Sequence, residues 1–536
     1  MAAPKILYTD ILYGPKSGAP GGGGCFLSIF GKNFGASLGA VSVTVGGGAA
    51  TPVFLGASYG RSDVQWLAVQ LESACATGAV VVTVGGESSN TNHSFTVISG
   101  AITYFSAIPT EGQISAMSPG DVAVIRAGTY DAEIYFHTVT GSAGLPLTVM
   151  GYPGEAVLIR RNGAGENAVH TFYSGADGSQ GFYQISGLDC DMGWDGTDPG
   201  AASFGGSVIG MGVDLQDIRV VNNKCTGMYE EAGGSAAISG SGQNLKVFGN
   251  FVSGNGGSKL YHGLYFDARA ATPGNYELAW NVIRRQSGGR GIQVFGDAAS
   301  ANITNVSVHH NRIEDIHLDG ILFGDKSTTG FSAYNNIVSR CGNLAYVGFS
   351  TDAGVSGSGL RFNNAGLVVQ AYNNTFFDTA MDDDVDSCAL AVDAVSDGGI
   401  DLVNNIFHTN GLRPYTRGTT AGKFSSCTKN VWYGSGAAPG FDSSPINSDP
   451  LFVDSAAGDL RIQTGSLAKD AGSASLVASD DHFGTARPQN SLYDIGAHEF
   501  DVGDEGGGEP SVGVALYDSD YSILQAQTNP LTVSRW

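Results

Sequence analysis

Eight short stretches of the chain end alike: IRVVNNK (218–224), LKVFGN (245–250), YELAWN (276–281), VSVHHN (306–311), SAYNN (332–336), VQAYNN (369–374), DLVNN (401–405) and CTKN (427–430). Aligned on one shared Asn, they place Asn223, Asn250, Asn281, Asn311, Asn336, Asn374, Asn405 and Asn430 at steps of 27, 31, 30, 25, 38, 31 and 25 residues. A strand-turn unit that recurs at such a period, with insertions of variable length, marks a solenoid. One coil buries its inward residues only by stacking on its neighbours. Asn tolerates the left-handed backbone of a coil corner, and stacked Asn side chains can hydrogen-bond along the stack. These Asn therefore have a structural role, along one corner.

Composition agrees with a β-architecture. The chain has 536 residues, of which 80 are Gly, 42% hydrophobic and only 14% charged. It is too apolar to be disordered and long enough for a large core. Its net charge of −23 argues against nucleic acid, which needs clustered Lys and Arg. A polyanionic glycan would require a local basic groove or bound Ca²⁺. The start, MAAPKILYTDILYGPK, lacks a basic segment followed by a long apolar run and does not read as a signal peptide. No apolar run approaches the ~20 residues of a membrane span, so no membrane insertion is expected. Seven Cys at 25, 75, 190, 225, 341, 388 and 427 show no metal spacing. Buried free thiols are expected, with a Cys25–Cys75 pair as the alternative.

Residues 1–100 carry short alternating strands between Gly and Ser turns, such as VSVTVGGGAATPVF (41–54), VQWLAVQL (64–71) and AVVVTVGG (79–86). That pattern predicts a β-sandwich. With SIFGKNFG and a closing SFTVIS strand, the unit resembles an immunoglobulin-like IPT/TIG domain, which implies attachment or spacing rather than chemistry. From residue 101, SPGDVAVIRAGTYDAEIYF (118–136) and GSAGLPLTVMGYPGEAVLI (141–159) resemble the first coils of right-handed parallel β-helices, in particular polysaccharide lyases of the chondroitinase and alginate lyase type. Residues 449–472 and 480–500 resemble the closing segment of bacterial β-helix surface proteins. There Arg487 with Asp494 and Glu499 is expected as an ion-paired cap on the last coil. Residues 501–511, DVGDEGGGEPS, read as a linker. The tail 512–536 is too short for its own core; it resembles terminal segments of phage structural proteins and is expected to dock or oligomerise. The predicted fold is all-β: a right-handed single-stranded parallel β-helix of about ten coils over 101–500, preceded by the sandwich.

A second repeat points to a site. HGLYFD (262–267), RGIQVFGD (290–297) and DGILFGD (319–325) keep a Gly and an apolar alternation while the leading residue changes. Alternation turns Leu264, Ile292 and Ile321, with Phe266, Val294 and Phe323, toward the core, and Tyr265, Gln293 and Leu322 outward. His262, Arg290 and Asp319 are then expected to stack on the surface at the start of one strand face, and Asp267, Asp297 and Asp325 at its end. SGLRF (358–362) extends the series and sets Arg361 beside Leu322. For a lyase, a base removes the proton α to a uronate carboxylate while a cation neutralises it; His262, or Lys259 by resemblance to the lyases, is the candidate base, and Arg290 the neutraliser. For a hydrolase, paired carboxylates such as Asp319 would flank the glycosidic bond. The structural alternative is an ion ladder with turn-forming Asp.

Two further clusters are candidates. Asp382, Asp384 and Asp386 in MDDDVDS could bind Ca²⁺, although they lack EF-hand spacing and Gly, so a solvated loop is the favoured reading. Trp194, in the insertion DCDMGWDGTD (189–198), could stack on a sugar or pack on the helix. The expected function is glycan recognition. The leading reading is a virion-associated phage spike or fibre that binds, and in an enzymatic version depolymerises, a host-surface polysaccharide, with other virion proteins or itself as further partners. The alternatives are a secreted lyase acting on a uronic-acid glycan and a non-catalytic bacterial adhesin. The expected location is a virion or the extracellular space.

Overall fold

The computed structural model describes residues 2–501 except 137–138, 161–167, 171–179, 194–205, 231–234, 297–300, 325–326, 343–355, 365, 382–385 and 490. From residue 102 the chain winds as a right-handed parallel β-helix with three sheets. The first sheet stacks twelve strands, Ile102–Phe105 to Phe424–Thr428, and the third stacks ten, Ile134–Tyr135 to Thr416–Arg417. One coil illustrates the rest: Gly274–Ala279 in the first sheet, a tight corner, Val282–Gln286 in the second, and Ile292–Phe295 in the third. The next coil begins at Ile303–His309, paired in parallel with the first. Inward positions form one continuous apolar core from Ile108 to Trp432, which drives the stacking.

The tight corner between the first and second sheets holds the Asn column. Asn223 Nδ2 donates to Asn250 Oδ1 at 3.1 Å, and the link repeats through Asn281, Asn311, Asn336, Asn374 and Asn405 to Asn430 at 2.9–3.0 Å. Each acceptor oxygen also takes the backbone N–H of the preceding Asn, as Asn281 Oδ1 does from Asn250. The left-handed residue, however, is not the aligned Asn but the one before it: Asn222, Gly249, Trp280, His310, Asn335, Asn373, Asn404 and Lys429 have φ of 52–62°. That residue turns the chain outward, which leaves the following Asn free to point inward and satisfy the buried corner.

The outward residues anchor other parts of the chain. Asn335, Asn373 and Asn404 donate through Nδ2 to the carbonyls of Asp480 (2.6 Å), Asp494 (3.2 Å) and Ser473 (2.8 Å). The closing segment thus runs back along the corner and does not cap the last coil. Its buried Arg487 pairs with Glu499 at 2.7 Å and donates to the carbonyls of Asp494 and Gly496. Asp494 uses its carboxylate instead on the N–H groups of Asp470 and Phe500. The end is closed earlier. Asp442 accepts from Asn430 Nδ2 (3.0 Å) and Trp432 Nε1 (2.9 Å), completing the ladder, and Phe441 covers Trp432 and Phe424. The other end carries a short helix, Glu111–Ser115, with a Thr110 capping box and Ile114 buried.

Nine strands between Lys5 and Ile98 form the N-terminal unit, mostly antiparallel around a core of their own. That core also takes in Val122, Val124 and Met150 from the outer face of the first sheet, so VAVI is buried on both sides. Tyr8, Phe30 and Trp66 pack on Val221, Phe248 and Trp280. Arg61, held bidentately by Asp63, donates to the carbonyls of His310 and His482 at 3.2 Å each. One side chain therefore joins the N-terminal unit, the β-helix and the closing segment. All seven Cys are buried and free, Cys25 and Cys75 included.

Two stability measurements follow. Asn281→Ala removes the acceptor of two buried Asn250 donors, so it should lower unfolding stability by at least about 2 kcal/mol; a denaturation midpoint equal to wild type would contradict the ladder. His310 is buried, and desolvation lowers its pKa from the ordinary 6.5 to about 4. Between those values the unfolded chain takes up a proton that the folded chain refuses, so stability falls as pH drops through this window, by about 3 kcal/mol for this residue. Burial pushes His262 and His482 in the same direction. Thermal melts at neutral pH and near pH 4.5 should show the loss, and His310→Asn should reduce it.

Candidate functional site

The third sheet carries the repeated frame. Leu264, Ile292, Ile321 and Leu360 pair in register, as do Phe266, Val294, Phe323 and Phe362, and all eight are buried inward. The frame's Gly has a steric reason: a Cβ at Gly263 or Gly291 would lie 2.6 Å from the carbonyl oxygen of the next coil. The outward row runs Ser239, Tyr265, Gln293, Leu322, Arg361, Ala391 and Arg417, so Arg361 does lie beside Leu322.

Side chains on and beside this row form an ordered chain of charges. Arg290 donates from Nε to Asp319 Oδ2 at 2.7 Å and from Nη1 to Gln293 Oε1 at 3.0 Å. Asp319 Oδ2 also lies 3.7 Å from Arg361 Nη1, and its Oδ1 accepts the Ser358 N–H at 3.0 Å. Arg361 and Arg417 each donate to Asp393 Oδ2 at 2.9 Å. Arg290, Asp319, Arg361, Asp393 and Arg417 thus alternate in sign over five successive coils. The guanidinium-bearing side chains stay 15–23% exposed while Asp319 is fully buried. At about 4.8 Å per coil, the three cations stand roughly 10 Å apart. Asp393 and Arg417 were not legible as site residues, since only the register of the folded coils aligns ALAVD and PYTRG with the frame.

His262 heads this chain, and it is 3% exposed rather than on the surface. The Arg290 N–H donates to its Nδ1 at 3.1 Å, an approach that Gly289 permits, since a Cβ there would lie 2.6 Å from that nitrogen. Tyr265 covers the ring, with centroids 5.5 Å apart. Burial and then the Arg290 charge hold the imidazole pKa well below its usual value. The ring is therefore neutral, with its lone pair used at Nδ1 and its proton on Nε2. It is a hydrogen-bond donor and a poor base. Asp319 has both oxygens engaged and serves to hold two guanidiniums.

Other expectations fare differently. Gln293 and Leu322 keep their outward register but are buried, because neighbouring side chains such as Arg290 cover the row. Of the three Asp expected to stack at the strand end, Asp267 is among the described residues. The frames differ in length, so Asp267 pairs with Phe295, and Phe295 with Gly324. Asp267 is buried and bound to Arg269 at 2.6 Å; Asp297 and Asp325 lie outside the described residues. Lys259 is exposed in the turn before Tyr261–Asp267. Trp194, Asp382 and Asp384 lie outside the described residues. Asp386 is exposed, 3.8 Å from Arg417. Among the described residues no group of three or more His, Cys, Asp or Glu is arranged to hold a metal ion.

No protein-family model and no curated protein matches the sequence. Among solved structures, 24 chains match. The chain is similar to pectate lyase Pel9A, at 14% identity over 75% of this chain and 98% of that one, TM-score 0.41. It is also similar to the PL6 family alginate lyase AlyGC, at 14% over 71% and 60%, TM-score 0.32, and to a Yersinia enterocolitica family 28 exopolygalacturonase, at 12% over 78% and 97%, TM-score 0.28. By their names these neighbours are two polysaccharide lyases and an exopolygalacturonase.

Proposed function

We propose that the chain is a glycan-recognising β-helix protein whose third sheet binds a carboxylate-bearing polysaccharide along the helix axis. The observation that carries this reading is the ladder of Arg290, Arg361 and Arg417, held by buried or half-buried Asp. In a chain of net charge −23, this row offers the local cations that an acidic glycan requires. Guanidiniums fixed by one carboxylate keep further donors in a planar fork suited to a second. The Nε2 proton of His262 adds a donor for a hydroxyl.

Binding is favoured over lyase chemistry at this row, because His262 Nδ1 already accepts the Arg290 N–H and the fully buried Asp319 carboxylate lies between the Arg290 and Arg361 guanidiniums, whose charge makes it a weak base. For the setting, we propose a virion-associated spike or fibre. Its support is the N-terminal unit, locked onto the helix by Arg61 as an attachment module would be, and the resemblance of the tail 512–536 to phage structural proteins. A secreted lyase acting on a uronic-acid glycan and a bacterial adhesin are the alternative settings for the same fold.

The test is calorimetric titration with oligogalacturonate and oligoalginate. Arg361→Ala should weaken binding of whichever probe is bound by about 1–3 kcal/mol, the loss of a charge-assisted hydrogen bond. Unchanged affinity in Arg361→Ala and Arg290→Ala together would refute the assignment. Growth of ultraviolet absorbance on incubation with either probe would show elimination and restore the lyase reading, with Lys259→Ala as the next variant.

A further inference from the structure

The first sheet has a second outward feature, away from the charge ladder. In its middle, Phe182, Asp217, Asn244, Asn275, Asn305 and Gly330 hold one register position on six successive coils, and all six have φ between 55° and 79°. Asp, Asn and Gly, which fill five of the six positions, adopt this left-handed conformation readily, and its recurrence bends the strands at one level on successive coils. Four of the six, Asn244, Asn275, Asn305 and Gly330, line a groove of about 390 Å³.

The groove is polar on both sides. Along one side, Asn305 Nδ2 donates to Asn275 Oδ1 at 3.1 Å, Asn275 to Asn244 at 3.0 Å, and Asn244 to Asp217 at 3.0 Å. Each interior amide spends one N–H and one lone pair in this relay and keeps one of each. At the end of the column stands Gly330, where a Cβ would lie 2.6 Å from Asn305 Oδ1; Gly leaves that acceptor uncovered. Two residues along on the same strands are Lys246, Glu277 and Ser307. Lys246 and Glu277 pair at 2.7 Å, and His309 Nε2 holds the other Glu277 oxygen at 3.2 Å. The floor thus holds one cation against one anion, whereas the third-sheet row sets three guanidiniums in alternation with Asp319 and Asp393. It repeats a donor-acceptor pair once per coil, about 4.8 Å apart.

We infer that this groove is a second carbohydrate site, for a neutral, hydroxyl-rich glycan segment lying across the coils from Asn244 to Gly330. Planar amides with one donor and one acceptor left suit vicinal hydroxyls, which both give and accept hydrogen bonds. A balanced Lys–Glu pair gives a polyanion no net attraction. The groove volume lies in the range of small-ligand sites. The inference goes beyond the third-sheet reading, with another face and another ligand class, and either can fail alone.

The experiment uses the full chain with two probe sets: neutral cello-, malto-, manno- and xylo-oligosaccharides, and the acidic oligogalacturonate and oligoalginate. Ser307→Arg fills the groove and Asn275→Ala breaks the amide relay; melting temperature reports whether each variant is folded. Expected is binding of at least one neutral probe, weakened at least about tenfold (about 1.4 kcal/mol) by Ser307→Arg, and by Asn275→Ala if that variant folds. Neutral binding that Ser307→Arg leaves unchanged would overturn the site, and so would the absence of any neutral binding. Loss of acidic-probe binding on Arg361→Ala bears on the third sheet alone.

Discussion

The fold depends on a side-chain amide passing a hydrogen bond to the next coil. Parallel strands stacked by apolar contact alone could slip in register, because apolar attraction is non-directional. The Asn column removes that freedom, since each buried amide satisfies two donors of the preceding coil. A slip by one residue would leave those donors unpaired inside the corner. With this corner pinned, the strands on either side inherit their alignment, and outward rows on both the first and third sheets become straight columns.

Straight columns are what allow surface chemistry to accumulate. A residue that recurs once per coil stacks at the inter-strand spacing, so like charges would repel and opposite charges bind. The third sheet takes the alternating solution, from Arg290 through Asp319, Arg361 and Asp393 to Arg417. The first sheet takes a neutral one, an amide relay beside a Lys–Glu pair. The N-terminal unit and the closing segment occupy the tight corner and the outer face of the early coils, where the outward residues are Val122, Val124, Met150, Phe248 and Trp280. Apolar and anchoring outward residues mark covered surface, and polar columns mark surface left open.

The consecutive Asn pairs show both roles in two residues. In 335–336, 373–374 and 404–405, the first Asn is left-handed and reaches out to the closing segment, and the second reaches in to the ladder. Where the outward partner is the N-terminal unit instead, the first position is Trp280 or His310. Trp280 packs on Tyr8, and His310 offers its carbonyl to Arg61.

Much of the fold is legible in the sequence because its cause is periodic. The recurrence of the aligned Asn implies a solenoid, and the Gly-apolar frame at 262, 290 and 319 implies stacked strands with Leu264, Ile292 and Ile321 inward. What alternation could not supply is exposure. It places Gln293 and Leu322 outward correctly, but whether an outward residue meets water depends on longer side chains in the next coil, and Arg290 lies over this row. The same alternation sets Asp267 opposite Phe295, one position past Phe266 and Val294, so the unequal lengths of the frames were already legible in the sequence. His262 is the sharpest case. As a residue type it suggests a base, and only the folded arrangement, with the Arg290 N–H on Nδ1 and burial under Tyr265, turns it into a neutral donor. Sequence alone determined the coil, because each coil repeats the same local physics. Tertiary structure decided protonation, pairing and accessibility, because these depend largely on contacts between adjacent coils, 24 or more positions apart along the ladder, that exist only once the coils are stacked.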